Sequence, residues 1–81
     1  MRHDLKLEKE FYEEMAGGYK NFECRLNDRG FRIGDELLLR EYDPETNIVT
    51  GRSMLKKVTY VLTGERFGIV PGYCVMSLWK A

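Results

Sequence analysis

The hydrophobic period of this chain changes twice within its first 26 residues, and no other feature constrains the fold as much. His3 to Leu7 alternates polar and apolar, with Leu5 and Leu7 on one face, as a short strand does. From Lys9 to Ala16 the spacing becomes four. Leu7, Phe11 and Met15 then fall on one helical stripe. Glutamates at the front of this segment suit the positive end of a helix dipole. Gly17-Gly18 ends the helix, because glycine accepts the left-handed conformation of a C-terminal cap. The period then returns to two. Phe22, Cys24 and Leu26 are expected to face a core, and Asn21, Glu23 and Arg25 to face water or a groove.

Turn signals divide the remainder. Asn27-Asp28-Arg29-Gly30 and Gly34-Asp35 precede an apolar run from Leu37 to Tyr42 that has strand length. Asp43-Pro44-Glu45-Thr46-Asn47 is a turn with proline preset at its second position. Met54 to Leu62 is the best strand, holding Val58, Thr59, Tyr60 and Val61. A loop from Thr63 to Gly72 leads to a last strand, Tyr73 to Trp79. One strand, a helix, then four or so strands in so short a chain predict a mainly β, α+β domain with one or two short helices. The expected form is a small closed or nearly closed barrel, with a helix covering one end.

With 81 residues there is room for one core and one domain, residues 1–81. The 13 basic and 13 acidic side chains cancel, so net charge does not announce a nucleic-acid partner. Their distribution is uneven. Glu8, Glu10, Glu13 and Glu14 crowd one segment, while Lys20, Arg25, Arg29, Arg32 and Arg40 dominate the next, which predicts an acidic and a basic side. Cys24 and Cys74 lie far apart without CxxC spacing and are expected to be two buried thiols. No apolar run approaches the ~18 residues of a membrane span, so the expected setting is cytoplasmic, away from membranes.

Metal and cofactor chemistry find no support. One histidine and two distant cysteines make no zinc site. The acidic residues lack calcium-loop spacing. No phosphate-binding or dinucleotide fingerprint appears, and neither Ser53 nor Ser77 sits in a nucleophile elbow. The expectation is no metal and no cofactor.

The chemistry concentrates in Gly18-Tyr19-Lys20-Asn21-Phe22-Glu23-Cys24-Arg25. Glu23 and Arg25 share a strand face, and Lys20 follows the helix stop. On spacing alone these groups are most simply surface ion pairs, which are common and weak. Gathered in one groove, Lys20 and Arg25 would hold a phosphate or carbonyl oxygen while Glu23 orients one of them. His3, the sole histidine, is more often a satisfied structural residue, with a catalytic or binding role as the alternative. Arg29, Arg32, Arg40 and Arg52 could extend a phosphate-contacting surface, and Tyr19, Phe31, Tyr42 and Tyr73 could stack on bases. Most of these aromatics are expected inside a small barrel, as are Phe11, Phe22, Tyr60 and Trp79 in its core or rim.

The same eight residues fit the pattern Gly-x-Lys-x-x-Glu-x-Arg and resemble the signature of the ASCH family, named for activating signal cointegrator homology, within the PUA-like superfamily. His3-Asp4-Leu5-Lys6, Leu39-Arg40-Glu41-Tyr42-Asp43-Pro44, Val58-Thr59-Tyr60 and Gly72-Tyr73-Cys74-Val75-Met76-Ser77 extend the likeness to a short bacterial and phage branch. The resemblance implies a PUA-like barrel with a groove between helix and sheet, and an RNA or nucleotide-like ligand. In that groove the expected ligand contacts are Lys20, Glu23 and Arg25 of the motif and His3, with Arg29 and Arg40 extending them. One enzymatic branch resembles an amidohydrolase acting on acetylated cytidine, using the motif lysine and a threonine three residues later. Here Glu23 stands in that place. A hydrolase acting on RNA or a modified nucleoside, with Lys20 and Glu23 in proton transfer, is therefore the alternative. A protein-interaction domain of phage origin is the third reading, with a homodimer through a strand edge or apolar patch as one form of it.

Overall fold

A computed structural model describes all 81 residues. The chain runs β1 (Arg2–Glu8), α1 (Lys9–Ala16), β2 (Phe22–Leu26), β3 (Glu36–Asp43), β4 (Ile48–Thr63) and β5 (Tyr73–Lys80). The strands form one sheet in the order β1-β3-β4-β5-β2. β1 runs parallel to β3, and every other pairing is antiparallel. The fold is mainly β with a single short helix, as the alternation predicts.

The sheet curls until its two edge strands face each other. β1 and β2 share no ladder. Instead, Arg25 Nη2 donates to the Lys6 carbonyl at 2.6 Å, and Arg29 Nη1 to the Asp4 carbonyl at 3.0 Å. Asp4 and Lys6 are two residues apart, so their carbonyls leave the same edge of β1. Two guanidinium groups thus lace a seam that a closed barrel would zip with backbone hydrogen bonds. The result is a half-barrel, and its exposed edge is covered by charge.

Alternation places His3, Leu5 and Leu7 of β1 inside, opposite Leu37, Leu39 and Glu41 of β3. Val58, Cys74, Met76 and Leu78 complete the floor, and Tyr12 and Met15 of α1 close one end. Gly17 caps the helix in the right-handed region, and Gly18, at φ 84°, supplies the left-handed step expected of the pair.

Four sequence expectations need correction. In β2 the faces are reversed. Glu23 and Arg25 stand opposite the buried Met76 and Cys74, while Phe22, Cys24 and Leu26 face outward. A period of two defines two faces but does not say which meets the core, and a carboxylate can be buried where cations neutralise it. Cys24 is accordingly exposed, and only Cys74 is a buried thiol. Phe11 is 40% exposed, because Leu7 belongs to β1 and not to the helical stripe, and α1 buries Tyr12 with Met15 instead. Phe22, Tyr60 and Trp79 also lie on the surface. Finally, β4 starts at Ile48 rather than Met54. Its register against β3 shifts beside Arg40 and Tyr42, where Gly51 adopts φ 98°, and glycine suits such a bulge.

Candidate functional site

The end of β1, the side of α1, the segment after its glycine stop and β2 enclose a groove of about 460 Å³. Its walls carry three cations (Lys6, Lys20, Arg25), three aromatic rings (Phe11, Phe22, Tyr42) and two carboxylates (Glu8, Glu23), with Leu7 and Cys24 between them.

Glu23 is the centre. Its side chain is buried, and each oxygen carries one cation: Lys20 Nζ donates to Oε1, and Arg25 Nε to Oε2 at 2.7 Å. Lys20 also donates to the Phe22 carbonyl at 2.7 Å. Its ammonium lies 4.9 Å from the Phe22 ring centroid and 5.7 Å from that of Phe11, within cation–π range. Lys6 is held similarly, 5.8 Å from the Tyr42 ring. Burial makes a carboxylate costly unless it is paired and hydrogen-bonded, and here both oxygens are satisfied. The helix stop at Gly17-Gly18 brings Lys20 back toward β2, and the inward face of β2 delivers Glu23 and Arg25. The three motif residues therefore converge.

The other expected ligand residues lie elsewhere. His3 is buried under β3. Its Nε2 is 2.9 Å from Asp35 Oδ2, and its ring meets Phe31 edge-on at 4.8 Å. It lines no part of the groove, and its structural reading is the one its contacts support. The His3 hydrogen bond holds the Asp35 carboxyl below its ordinary range, aided by the Arg32 N–H and the N-terminal ammonium. Arg29 laces the seam and borders a smaller hollow beside Arg25, Leu26 and Tyr73. Arg40 lies on the outer face of the sheet, 2.7 Å from Asp4.

A second polar cluster escaped the sequence reading. The buried Glu41 accepts from Thr50 Oγ1 at 2.6 Å and lies 3.5 Å from Arg52, which reaches Glu13 at 2.6 Å and covers the Tyr12 ring at 4.8 Å. Burial raises the Tyr12 hydroxyl above its ordinary pKa. The cluster pins α1 to the bulged part of β4. Lys6 and Phe11 were likewise missed as groove residues, while Tyr42, one of the four expected stacking residues, does line it. Only the register of β1 with β3 and the curl of the sheet bring them to β2.

No group of three or more His, Cys, Asp or Glu side chains is arranged to hold a metal ion. No helix is long and apolar enough to cross a membrane.

These features define a small β-rich domain whose curled sheet carries a charged, aromatic-lined side groove. The chain belongs to the family described as Domain of unknown function (DUF3850), which it matches over residues 2–78. It is also similar to the "Uncharacterized 12.9 kDa protein in GpA 3'region" of Escherichia phage P2, with 32% identity over 59 residues. That alignment covers 73% of this chain and 52% of the phage protein, so the chain spans about half the length of that relative.

Proposed function

We propose that this domain is a binding module of the ASCH kind, with PUA-like ancestry, that holds a nucleotide-like ligand or one unstacked base of single-stranded RNA in the groove. The observation that carries the reading is the combination of three cations and three aromatic rings around a cavity of about 460 Å³. That volume falls in the ~300–1,000 Å³ range of small-molecule sites. Rings accept a base by stacking, and ammonium and guanidinium groups accept phosphate or carbonyl oxygen. Glu23 serves as the anchor that fixes Lys20 and Arg25 in place. A cytoplasmic setting belongs to the same proposal.

Hydrolysis is the weaker reading. A proton acceptor must reach its substrate, and both Glu23 oxygens already carry cations while Lys20 is held by two acceptors.

Labelled single-stranded RNA, run with the protein on native and denaturing gels across a salt series, tests the proposal. Binding should weaken as salt rises. Lys20→Ala and Arg25→Ala should each reduce affinity about tenfold, equivalent to about 1.4 kcal/mol, with circular dichroism confirming the fold. Unchanged affinity in both variants refutes the assignment. Shortening of the RNA that depends on Lys20 replaces it with the nuclease reading.

A further inference from the structure

A second hollow adjoins the groove along the seam between β1 and β2. Its volume is about 310 Å³, and it shares two lining residues with the groove, Cys24 and Arg25. Arg25 therefore stands between the two spaces as a common wall. Beyond it the hollow is lined by the buried Leu5 and Phe31 and by Leu26 and Tyr73, cross-strand partners that are 49% and 41% exposed. A half-exposed aromatic ring beside buried apolar side chains, in a space of small-ligand size, suits the flat face of a base.

The charges lie where the two spaces meet. Arg25 donates Nε to Glu23 and Nη2 to the Lys6 carbonyl, which leaves Nη1 without a protein acceptor. Arg29 donates Nη1 to the Asp4 carbonyl and has no carboxylate within 4.0 Å. The two carbonyls are two residues apart on β1, about 7 Å at ~3.4 Å per residue. Charge-assisted bonds of ~2.8 Å, one from each guanidinium to the two free oxygens of a single phosphodiester, bridge a gap of that size. Across both spaces four cations (Lys6, Lys20, Arg25, Arg29) face three carboxylates (Glu8, Glu23, Asp28). The one excess positive charge matches the single charge of a phosphodiester better than the nearly double charge of a terminal phosphate. Asp28 forms no ion pair, so its carboxylate offers an acceptor to the exocyclic amino group of a base.

We infer that the seam is a two-base track: one base lies in the groove, its neighbour lies in the hollow against Tyr73, and the phosphodiester joining them lies on Arg25 and Arg29. The ligand is then a single strand of RNA at least two nucleotides long, and a free nucleotide fills only half of the track. This inference rests on the groove reading and narrows it from nucleotide-like ligands in general to a strand. Selective recognition of RNA works on unstacked, splayed bases, and a wall between two adjoining spaces holds neighbouring bases apart. The seam arginines thus have two roles. Each keeps one bond to β1, which fixes its position, and turns its remaining N–H groups to the strand.

Competition against a labelled mixed-sequence RNA octamer, read by fluorescence anisotropy, tests the track. One set of competitors is the dinucleoside monophosphates. The other is the methyl phosphodiesters of the four nucleosides, which keep one base and the single charge but lack the second nucleoside. The dinucleotides should compete about 5- to 100-fold more strongly, as one further base–aromatic stack gives. Tyr73→Ala should remove that advantage and Tyr73→Phe should retain it. Both variants should leave the methyl phosphodiesters competing as before, which also shows that they are folded. Arg29→Ala should lower the salt slope of octamer binding by about 0.7. Equal competition by the two sets, a dinucleotide advantage that survives Tyr73→Ala, or an unchanged slope in Arg29→Ala overturns the inference and leaves the groove reading standing. Absence of octamer binding overturns both.

Discussion

Glu23 shows how one buried side chain can organise a site. Its two oxygens hold Lys20 and Arg25, whose side chains remain partly solvated. Glu23→Ala removes the shared partner and leaves two cations facing each other. Breaking a buried pair costs ~3–5 kcal/mol, and partial solvation of the cations brings the expected loss to about 2–3 kcal/mol. A fall in the urea midpoint measures it. Arg40→Ala, which breaks only the solvent-facing pair with Asp4, should leave the midpoint nearly unchanged. The motif residues were legible in the sequence because spacing puts Glu23 and Arg25 on one strand face whichever way that face points. The burial of that face was not legible. It depends on β2 pairing with β5, which sets Glu23 opposite Met76.

At the level of the elements, the half-barrel depends on a seam with no ladder. Arg25 and Arg29 reach from β2 and its following turn to consecutive outward carbonyls of β1. Removing Arg29 leaves the Asp4 carbonyl to water, while Arg25 still bridges. Arg29→Ala should therefore loosen the seam without unfolding the domain, at a cost of about 1 kcal/mol. Amide exchange should quicken in β1 and β2 and stay unchanged in the central strand β4, which has neighbours on both sides. The helix and most strands were readable from period and turn residues. The long β4 was not, since Gly51 and the bulge interrupt the alternation just where the strand continues.

At the level of the molecule, three aspartates tie distant parts of the chain together. Asp35 joins His3, the N-terminus and the turn at Arg32, Asp4 joins β1 to Arg40, and Asp43 joins the β3–β4 turn to Lys9. All three are held below their ordinary value of 3.8: Asp35 chiefly by its bond to His3, Asp4 by that to Arg40, and Asp43 by the Glu45 N–H. A lowered folded pKa stabilises the fold above the unfolded value, and that stability is lost as pH falls through the folded one. Urea midpoints should therefore hold near pH 5–7 on account of these groups and drop below about 3.8. Asp35→Asn should lower the plateau and flatten the drop. With only 11 buried apolar residues in its core, the domain has little stability to spare, so the acid transition should be readily visible. The sequence by itself determined the mainly β class, the single helix and its stop, and the grouping of Lys20, Glu23 and Arg25, because these follow from local period, turn chemistry and spacing. Only the tertiary structure decided which face of β2 is buried, that His3 serves Asp35, and that Phe22, Tyr60 and Trp79 gather outside, because strand order and register are set by contacts between residues far apart in the chain.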